Sequence, residues 1–146
     1  MTINEFWGFM QAADGEYSDY RRRIMSEFDL TAAETDVLMF LANNPAFDTA
    51  AQISRTRRIP KSQVSASVNA LYDKGLLTGN YLPNNRKSVH LALTEKAEPV
   101  VNFGRKMQES FAAELFSGFT DEEKAEFFRL QRKMAENIET KRKKKP

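Results

Sequence analysis

Apolar residues recur every three or four positions along most of the chain, which is the spacing of amphipathic helices. This period predicts long helices over residues 3–28, 95–116 and 120–139, and a shorter helix from Thr31 to residue 43. Helices therefore account for both ends of the chain, whereas the middle has a different pattern.

Two of these helices begin with a recognisable signature. Thr31 with Glu34, and Thr120 with Glu123, have the spacing of a capping box, in which each side chain accepts a hydrogen bond from a free backbone N–H. We also expect Thr94 to cap the helix that follows it. These signatures predict where the helices start.

The pattern changes between residues 47 and 97. Two helical segments, 48–57 and 61–74, are separated by a short break at 58–60. Beyond the second segment, apolar and polar residues alternate around a turn at 83–87, which predicts two strands. Helix, tight turn, helix and two-stranded hairpin is the order of a winged helix-turn-helix.

The second helical segment of this module has one apolar stripe and one polar face. Val64, Val68 and Leu71 recur at spacings of four and three, so they line one side of the helix. The other side carries hydrogen-bonding groups and no acid before Asp73, which suits base edges and phosphates in the major groove. An ordinary amphipathic surface helix is the alternative, although such helices usually mix Glu with Lys. The candidate DNA-binding residues on this face are Lys61, Ser62, Gln63, Ser65 and Asn69.

Charge is segregated along the chain. Residues 47–97 contain eight basic and three acidic side chains, a net charge of +5. Residues 1–46 carry −5 and residues 98–140 carry −3, while the tail 141–146 adds +5 to reach the total of +2. A basic module between acidic arms is the electrostatic pattern of phosphate binding. The candidate DNA-binding residues therefore also include Arg86 and Lys87 of the wing.

Composition argues against several classes of function. The chain has no cysteine, so a disulfide framework, a thiolate switch and a cysteine metal site are excluded. Its single histidine, His90, lies on a predicted strand and is interpreted as a surface residue. No nucleophile–base set, zinc-ligand spacing or glycine-rich phosphate loop is visible. We therefore expect no enzyme activity, no catalytic residue, no cofactor and no metal site.

The length of 146 residues suits one domain, residues 1–146, with a sizeable core. The basic tail at 141–146 is expected to be solvated and disordered. There is no signal-peptide pattern and no run of about 20 apolar residues for a membrane helix. These features predict a cytoplasmic protein without a membrane partner.

Large apolar side chains are concentrated at the two chain ends. Ten of the eleven phenylalanines lie outside the basic module, and a lone helix of about 25 residues finds few partners inside a small domain. We expect residues 1–28 and 98–140 to pair with a second copy, although the same aromatics can also fill an intramolecular core. A two-fold dimer would place two reading helices about 34 Å apart on a palindromic site. The candidate dimerisation residues are Phe6, Trp7, Met10, Phe111, Phe127, Leu130 and Met134.

Three stretches, taken in order, resemble the MarR family of bacterial transcription regulators. The family's second helix is similar to LTAAETDVL, and its helix-turn-helix is similar to DTAAQISRTRRIPKSQVSASVNALYDKGLL. The junction after its wing is similar to HLALTEKA. The resemblance spans nearly the whole chain and implies a mainly α fold with a small β-wing. It also implies a homodimer with interlocking terminal helices, a DNA-reading fourth helix, and a wing that contacts the minor groove or backbone of double-stranded DNA.

The chain departs from the family pattern at three positions. The family's wing usually has Asp before its paired bases, where this chain has Asn85, and the missing carboxylate predicts a looser wing. Ala66 stands where a basic residue often follows the Val-Ser pair of the reading helix. Pro60 stands where a capping Ser or Asp is common. These departures bear on affinity and on the preferred DNA sequence.

The leading hypothesis is a sequence-specific, homodimeric transcription regulator that represses by blocking a promoter. The resemblance also implies release by a small aromatic effector in a crevice that Trp7, Met10, Tyr17, Met39 and Phe40 would line, unless these side chains are core. A winged-helix adaptor that binds an acidic protein is the alternative. A non-specific DNA binder that uses the lysine tail is a third.

Overall fold

The computed structural model describes residues 1–143 as six α-helices, one short 3₁₀ turn and one two-stranded antiparallel sheet. The elements, in chain order, are α1 (Ile3–Phe28), α2 (Ala32–Asn43), α3 (Ala50–Arg57), α4 (Lys61–Asp73), β1 (Leu77–Leu82), β2 (Asn85–Leu93), the 3₁₀ turn (Glu95–Ala97), α5 (Glu98–Leu115) and α6 (Asp121–Lys143). This order confirms the predicted winged helix-turn-helix between terminal helices.

The chain divides into two compact units, one from Met1 to Phe111 and a second that starts at Ala112. The core of the first unit is built around α2, whose Val37 and Leu38 are completely buried. Ile24 from α1, Ile53 from α3 and Leu71 from α4 reach the same cluster. These side chains fix α3 and α4 against a common hydrophobic support.

Capping boxes start four of the helices. The predicted pairs, Thr31 with Glu34 and Thr120 with Glu123, are confirmed by reciprocal hydrogen bonds of 2.9 to 3.2 Å. The same arrangement starts α1 at Thr2 and α3 at Thr49. Each box satisfies backbone N–H groups that have no partner inside the helix.

The expectation that Thr94 caps a helix by its side chain is wrong. Its hydroxyl donates instead to the carbonyl oxygen of Gly75 at 2.7 Å, and a 3₁₀ turn at Glu95–Ala97 precedes α5. The side chain of Thr94 therefore joins the end of the wing to the residue that follows α4.

The predicted turn of the wing, 83–87, is too long. Strand β2 already starts at Asn85, which pairs with Leu82, so only Pro83 and Asn84 connect the strands. The backbone N–H of Lys87 donates to Asn85 Oδ1 at 3.0 Å. This bond stabilises the tip in place of the absent carboxylate, so the loosening that we expected at this position is partly offset.

The last helix is longer and more exposed than its sequence pattern predicts. It continues to Lys143, so residues 141–143 of the predicted disordered tail are helical, and residues 144–146 lie outside the described residues. Basic side chains in its last turn interact favourably with the negative helix end. The inward orientation expected of Phe127, Leu130, Met134 and Ile138 is wrong for the single chain, because no residue of α6 is buried.

Rings near the start of α6 pack on each other within the second unit. Phe116 makes an edge-on contact with Phe127 at 5.3 Å and with Phe119 at 5.4 Å. Among the described residues, no helix has the length and apolar character needed to cross a bilayer.

Candidate DNA-binding surface

Helix α4 turns its apolar stripe inward and its polar face outward. Val64, Val68 and Leu71 are buried as predicted, and the small Ser67 is buried with them. The Ser67 hydroxyl donates to the Gln63 carbonyl oxygen at 2.8 Å, which satisfies a polar group that the stripe pattern did not assign to the core. All five candidate DNA-binding residues of α4 are exposed, namely Lys61, Ser62, Gln63, Ser65 and Asn69.

The turn that leads into α4 has an unusual backbone conformation. Arg58 is left-handed, with φ of 54° and ψ of 37°, a region where a side chain is disfavoured by about 1 to 2 kcal/mol. Pro60 occupies the N-cap position of α4 and provides no side-chain hydrogen bond. The first N–H groups of α4 therefore have no side-chain acceptor at the cap, and they lie beside the exposed polar face.

The wing presents its two bases to solvent. Arg86 and Lys87 are both exposed on β2, directly after the two-residue turn. Leu77 and Leu91 are buried at the base of the hairpin, whereas every residue of β1 after Leu77 is exposed. The hairpin is thus anchored at one end and projects from the body.

A groove of about 350 Å³ lies between α4 and the wing and is also lined by Thr49, Ala50 and Ala51 at the start of α3. One wall is α4, with Ser65 and Asn69, and the other is β2, with Lys87. No acidic residue is among the side chains that line this groove. Its electrostatic character therefore suits a phosphate-bearing strand.

Contacts that the sequence did not predict hold the wing to the start of α3. The Leu91 N–H donates to the Asp48 carbonyl oxygen at 2.7 Å, and His90 Nδ1 lies 2.8 Å from Asp48 Oδ1. His90 is partly buried on β2, and its contact with Asp48 was not part of its interpretation as a surface residue of the strand. The two residues are 42 positions apart, and no local sequence pattern connects them.

A second set of contacts holds the end of α4 to the α1–α2 corner. Lys74 Nζ donates to Glu34 Oε2 at 2.7 Å and to the Asp29 carbonyl oxygen at 2.6 Å. Lys96 Nζ donates to the Lys74 carbonyl oxygen at 2.8 Å. The residue that ends α4 is therefore bonded to the corner between α1 and α2.

The residues expected to line an effector crevice separate into two groups. Tyr17, Met39 and Phe40 line a cavity of about 160 Å³ within the first unit. Trp7 and Met10 are not among its lining residues, and they are 56% and 47% exposed. The cavity also has polar walls, because Gln108 donates to the Tyr17 hydroxyl at 3.1 Å and accepts from the Asn43 amide at 2.9 Å.

The candidate dimerisation residues also differ in their surroundings. Phe111 packs against the rings of Tyr17 and Tyr20 in its own chain. Its position therefore fits the alternative in which these aromatic residues fill a core within one chain. Phe127 packs on its aromatic neighbours, and Phe6 is partly buried with its ring 5.3 Å from that of Trp7. The large exposed apolar side chains of this set are Trp7, Met10, Leu130 and Met134.

Within residues 1–143, no group of three or more His, Asp or Glu side chains is placed to hold a metal ion. The polar side chains that the structure brings together join elements to each other. They join the wing to α3 and the end of α4 to the α1–α2 corner.

Sequence comparison assigns the family. A model described as MarR family matches residues 28–80. The transcriptional regulator ZitR of Lactococcus lactis subsp. cremoris (strain MG1363) is 30% identical over 125 residues, which cover 83% of this chain and 85% of ZitR.

Solved structures share the fold at lower identity. A putative MarR family regulator from Listeria monocytogenes, in complex with a 26mer DNA, has a TM-score of 0.77 at 20% identity, with 94% of this chain and 89% of that chain covered. BpsR of Bordetella bronchiseptica, whose DNA binding is regulated by 6-hydroxynicotinic acid, has a TM-score of 0.67 at 21% identity, with 90% and 98% covered. With the winged helix-turn-helix described above and the relationship to ZitR, the chain belongs to the MarR family: it is a DNA-binding transcriptional regulator and not an enzyme.

Proposed function

We propose that this regulator is a homodimeric repressor that acts in the cytoplasm on a palindromic operator. In this proposal, the exposed face of α4 enters the major groove, with Gln63 and Asn69 at base edges and Lys61, Ser62 and Ser65 at bases or phosphates. Arg86 and Lys87 of the wing contact the neighbouring backbone. Two copies related by a two-fold axis present two reading helices about 34 Å apart.

The observation that carries the proposal is the sidedness of α4. Its apolar stripe of Val64, Val68 and Leu71 is buried, and all five of its candidate DNA-binding residues are exposed. The groove beside it contains Lys87 and no acid. A helix with this face, in a module with net charge +5, is complementary to the phosphate backbone and to hydrogen-bonding base edges.

Selection of bound duplexes from a random DNA pool, followed by fluorescence anisotropy over a salt series, tests this assignment. Arg86→Ala and Lys87→Ala should weaken binding to most sequences alike, and each should reduce the slope of log K against log salt by about 0.9 for every phosphate that the variant no longer neutralises. Gln63→Ala should change the preferred sequence instead. Lys106→Ala, at an exposed lysine of α5, is the matched control and should leave both properties unchanged.

Two results would contradict the assignment. One is wild-type affinity and salt slope in all three variants. The other is the absence of any preferred palindrome together with a stable complex with an acidic protein, which is the outcome that the adaptor alternative requires.

Self-association is supported by the exposed apolar side chains at both chain ends. Trp7 and Met10 share one side of α1, and Leu130 and Met134 share one side of α6, since each pair is three or four residues apart. Their exposure in the single chain leaves apolar area that a second copy would cover. Leu130→Lys with Met134→Lys should convert the dimer to a monomer in light scattering and abolish high-affinity binding to the full palindrome. If this variant remains a dimer, the exposed apolar side chains of α6 do not form the interface.

Regulation by a small aromatic molecule is supported by the cavity at Tyr17, Met39 and Phe40. Its volume, about 160 Å³, is below the roughly 300–1,000 Å³ of drug-sized pockets, so we propose an effector with a single ring. A panel that includes 6-hydroxynicotinic acid, the effector of BpsR, should contain a compound that releases DNA from the wild type and not from Asn43→Trp, in which an exposed side chain of the cavity wall is replaced by a larger one. If the compound releases DNA equally from the wild type and the variant, the effector does not bind in this cavity.

A further inference from the structure

The backbone of β1 passes unusually close to the reading helix at Gly79. A Cβ atom at this position would overlap the Tyr72 hydroxyl and would lie only 2.7 Å from Val89 Cγ1, with Tyr72 Cζ at 3.2 Å. Gly79 is not among the residues with positive φ, so its backbone conformation alone does not require glycine. Space between the wing and α4 is therefore what excludes a side chain here.

Tyr72 is the fixed partner in this contact. It lies in the last turn of α4, next to the completely buried Leu71, and packs against the hydrophobic core. Burial raises the pKa of the Tyr72 phenol above its ordinary value. One side of the ring packs against the hydrophobic core, and its hydroxyl end reaches the backbone at Gly79.

The wing is the partner that can move. Beyond Leu77, every residue of β1 is exposed, and the hairpin contains only two strands. The buried Leu77 and Leu91 hold its base. Bonds to Asp48 hold β2 at His90 and Leu91, and the contact of Gly79 with Tyr72 supports β1. A change in the distance between the Gly79 backbone and the Tyr72 side chain would therefore tilt the hairpin tip, which carries Arg86 and Lys87.

The same contact determines the width of the groove between α4 and the wing. Tyr72 and Val89 line this groove together with Ser65, Asn69 and Lys87. The lining includes hydrogen-bond donors and a lysine and includes no acid, so its chemistry is complementary to a sugar–phosphate strand.

We propose that Tyr72, held under Gly79, is the spacer that sets the wing at the distance from α4 at which both elements contact one DNA strand. Tyr72 is a positioning residue in this scheme, and glycine at 79 is required for the close fit. The inference rests on the proposed DNA-binding role of α4 and the wing.

Gly79→Ala in the full-length protein is the first test. We expect a folded dimer whose affinity for the selected duplex falls at least about tenfold and whose salt slope falls by up to about 0.9 for each phosphate that the wing no longer reaches. The sequence preference should stay as in the wild type, because Gln63 and Asn69 are untouched. Gly15→Ala is the matched control, since a Cβ there meets nothing within 4 Å, and its affinity should be unchanged.

Second-site substitutions distinguish a displaced wing from a general loss of folding in Gly79→Ala. Adding Tyr72→Phe and Val89→Ala to Gly79→Ala removes the hydroxyl overlap and the 2.7 Å contact, and should restore most of the affinity and slope. Tyr72→Ala alone removes the spacer and should also reduce the slope, whereas Tyr72→Phe alone keeps the ring and should leave it unchanged. Thermal unfolding of each variant measures its stability. A loss of DNA affinity without a matching loss of melting temperature is the result expected of a positioning residue.

The proposal is overturned if Gly79→Ala binds with wild-type affinity and salt slope, or if the triple variant binds no better than Gly79→Ala. Either result, with Arg86→Ala and Lys87→Ala still reducing the slope, leaves the DNA-binding surface intact and removes only the spacer. If the two wing substitutions also have no effect, the proposed function itself fails.

Discussion

The ion pair between Glu34 and Lys74 offers the sharpest test of how the end of α4 is held against α2. The Glu34 side chain is 8% exposed and accepts hydrogen bonds from Lys74 Nζ at 2.7 Å and from the Thr31 N–H at 3.2 Å. Lys74→Met keeps most of the aliphatic stem and deletes the ammonium group. The substitution leaves a buried carboxylate with one remaining donor, and also leaves the Asp29 carbonyl oxygen without its lysine.

The expected loss of stability follows from burial of the two partners. Breaking a fully buried pair costs about 3–5 kcal/mol, and a hydrogen bond to a charged group contributes about 1.5–3 kcal/mol. Because the Lys74 side chain is 36% exposed, water can partly replace it, so we expect about 2 kcal/mol. At about 2–4 °C per kcal/mol for a chain of this size, the melting temperature should fall by about 4–8 °C.

Thermal unfolding followed by far-UV circular dichroism, at one fixed protein concentration, measures this loss. Glu34→Gln should cost less, because the amide keeps the cap and removes the buried charge. The double variant should be less destabilised than the sum of the two single variants, with a coupling of about 1–2 kcal/mol. Lys124→Met is the control, since Lys124 and Asp121 form an exposed pair at 3.7 Å, and such pairs contribute little.

Additivity within about 0.5 kcal/mol would refute this reasoning, because it would mean that Glu34 and Lys74 stabilise the fold independently. A loss in Lys74→Met no larger than that in Lys124→Met would refute it equally, since burial of Glu34 would then have no energetic consequence.

Three further predictions concern the backbone, the core and pH. Arg58→Gly should raise the free energy of unfolding by about 1 kcal/mol, because glycine adopts the left-handed conformation without a Cβ clash; urea unfolding checks this. Gly104→Val should destabilise by about 1–3 kcal/mol, because a Cβ at 104 already overlaps Met39 Sδ and lies 2.7 Å from Met39 Cε, whereas Gly15→Ala should stabilise by up to about 1 kcal/mol. Hydrogen bonds from Arg129 hold the pKa of Glu126 below its ordinary value, so their contribution to α6 is present above pH 4.5 and is lost as pH falls through the lower value. Helicity in an acid titration should therefore fall less in Glu126→Gln than in the wild type.

Local sequence patterns predicted the elements of this fold well. The bounds of α1 agree with its apolar period, and the capping boxes at Thr31 and Thr120 are present as expected. The polar face of α4 was also predicted, because burial of Val64, Val68 and Leu71 leaves the candidate DNA-binding residues on the opposite side of the helix. Burial of Ser67 was not predicted. Each of these features depends on side chains within about one or two turns of helix. The spacing of residues along the chain is therefore sufficient to predict it.

Tertiary structure decided how those elements are joined. Glu34 with Lys74, and Asp48 with His90, are separated by 40 and 42 residues, and Tyr72 meets Gly79 only because the hairpin folds back over α4. The start of β2 at Asn85 and the use of Thr94 as a tie to Gly75 were likewise set by packing. Such contacts arise when core residues fix the angles between elements, and a one-dimensional period contains no information about those angles. The sequence by itself therefore determined that the candidate DNA-binding residues of α4 and the wing face outward. Only the packed chain decided the burial of Ser67 and the distance between those two surfaces.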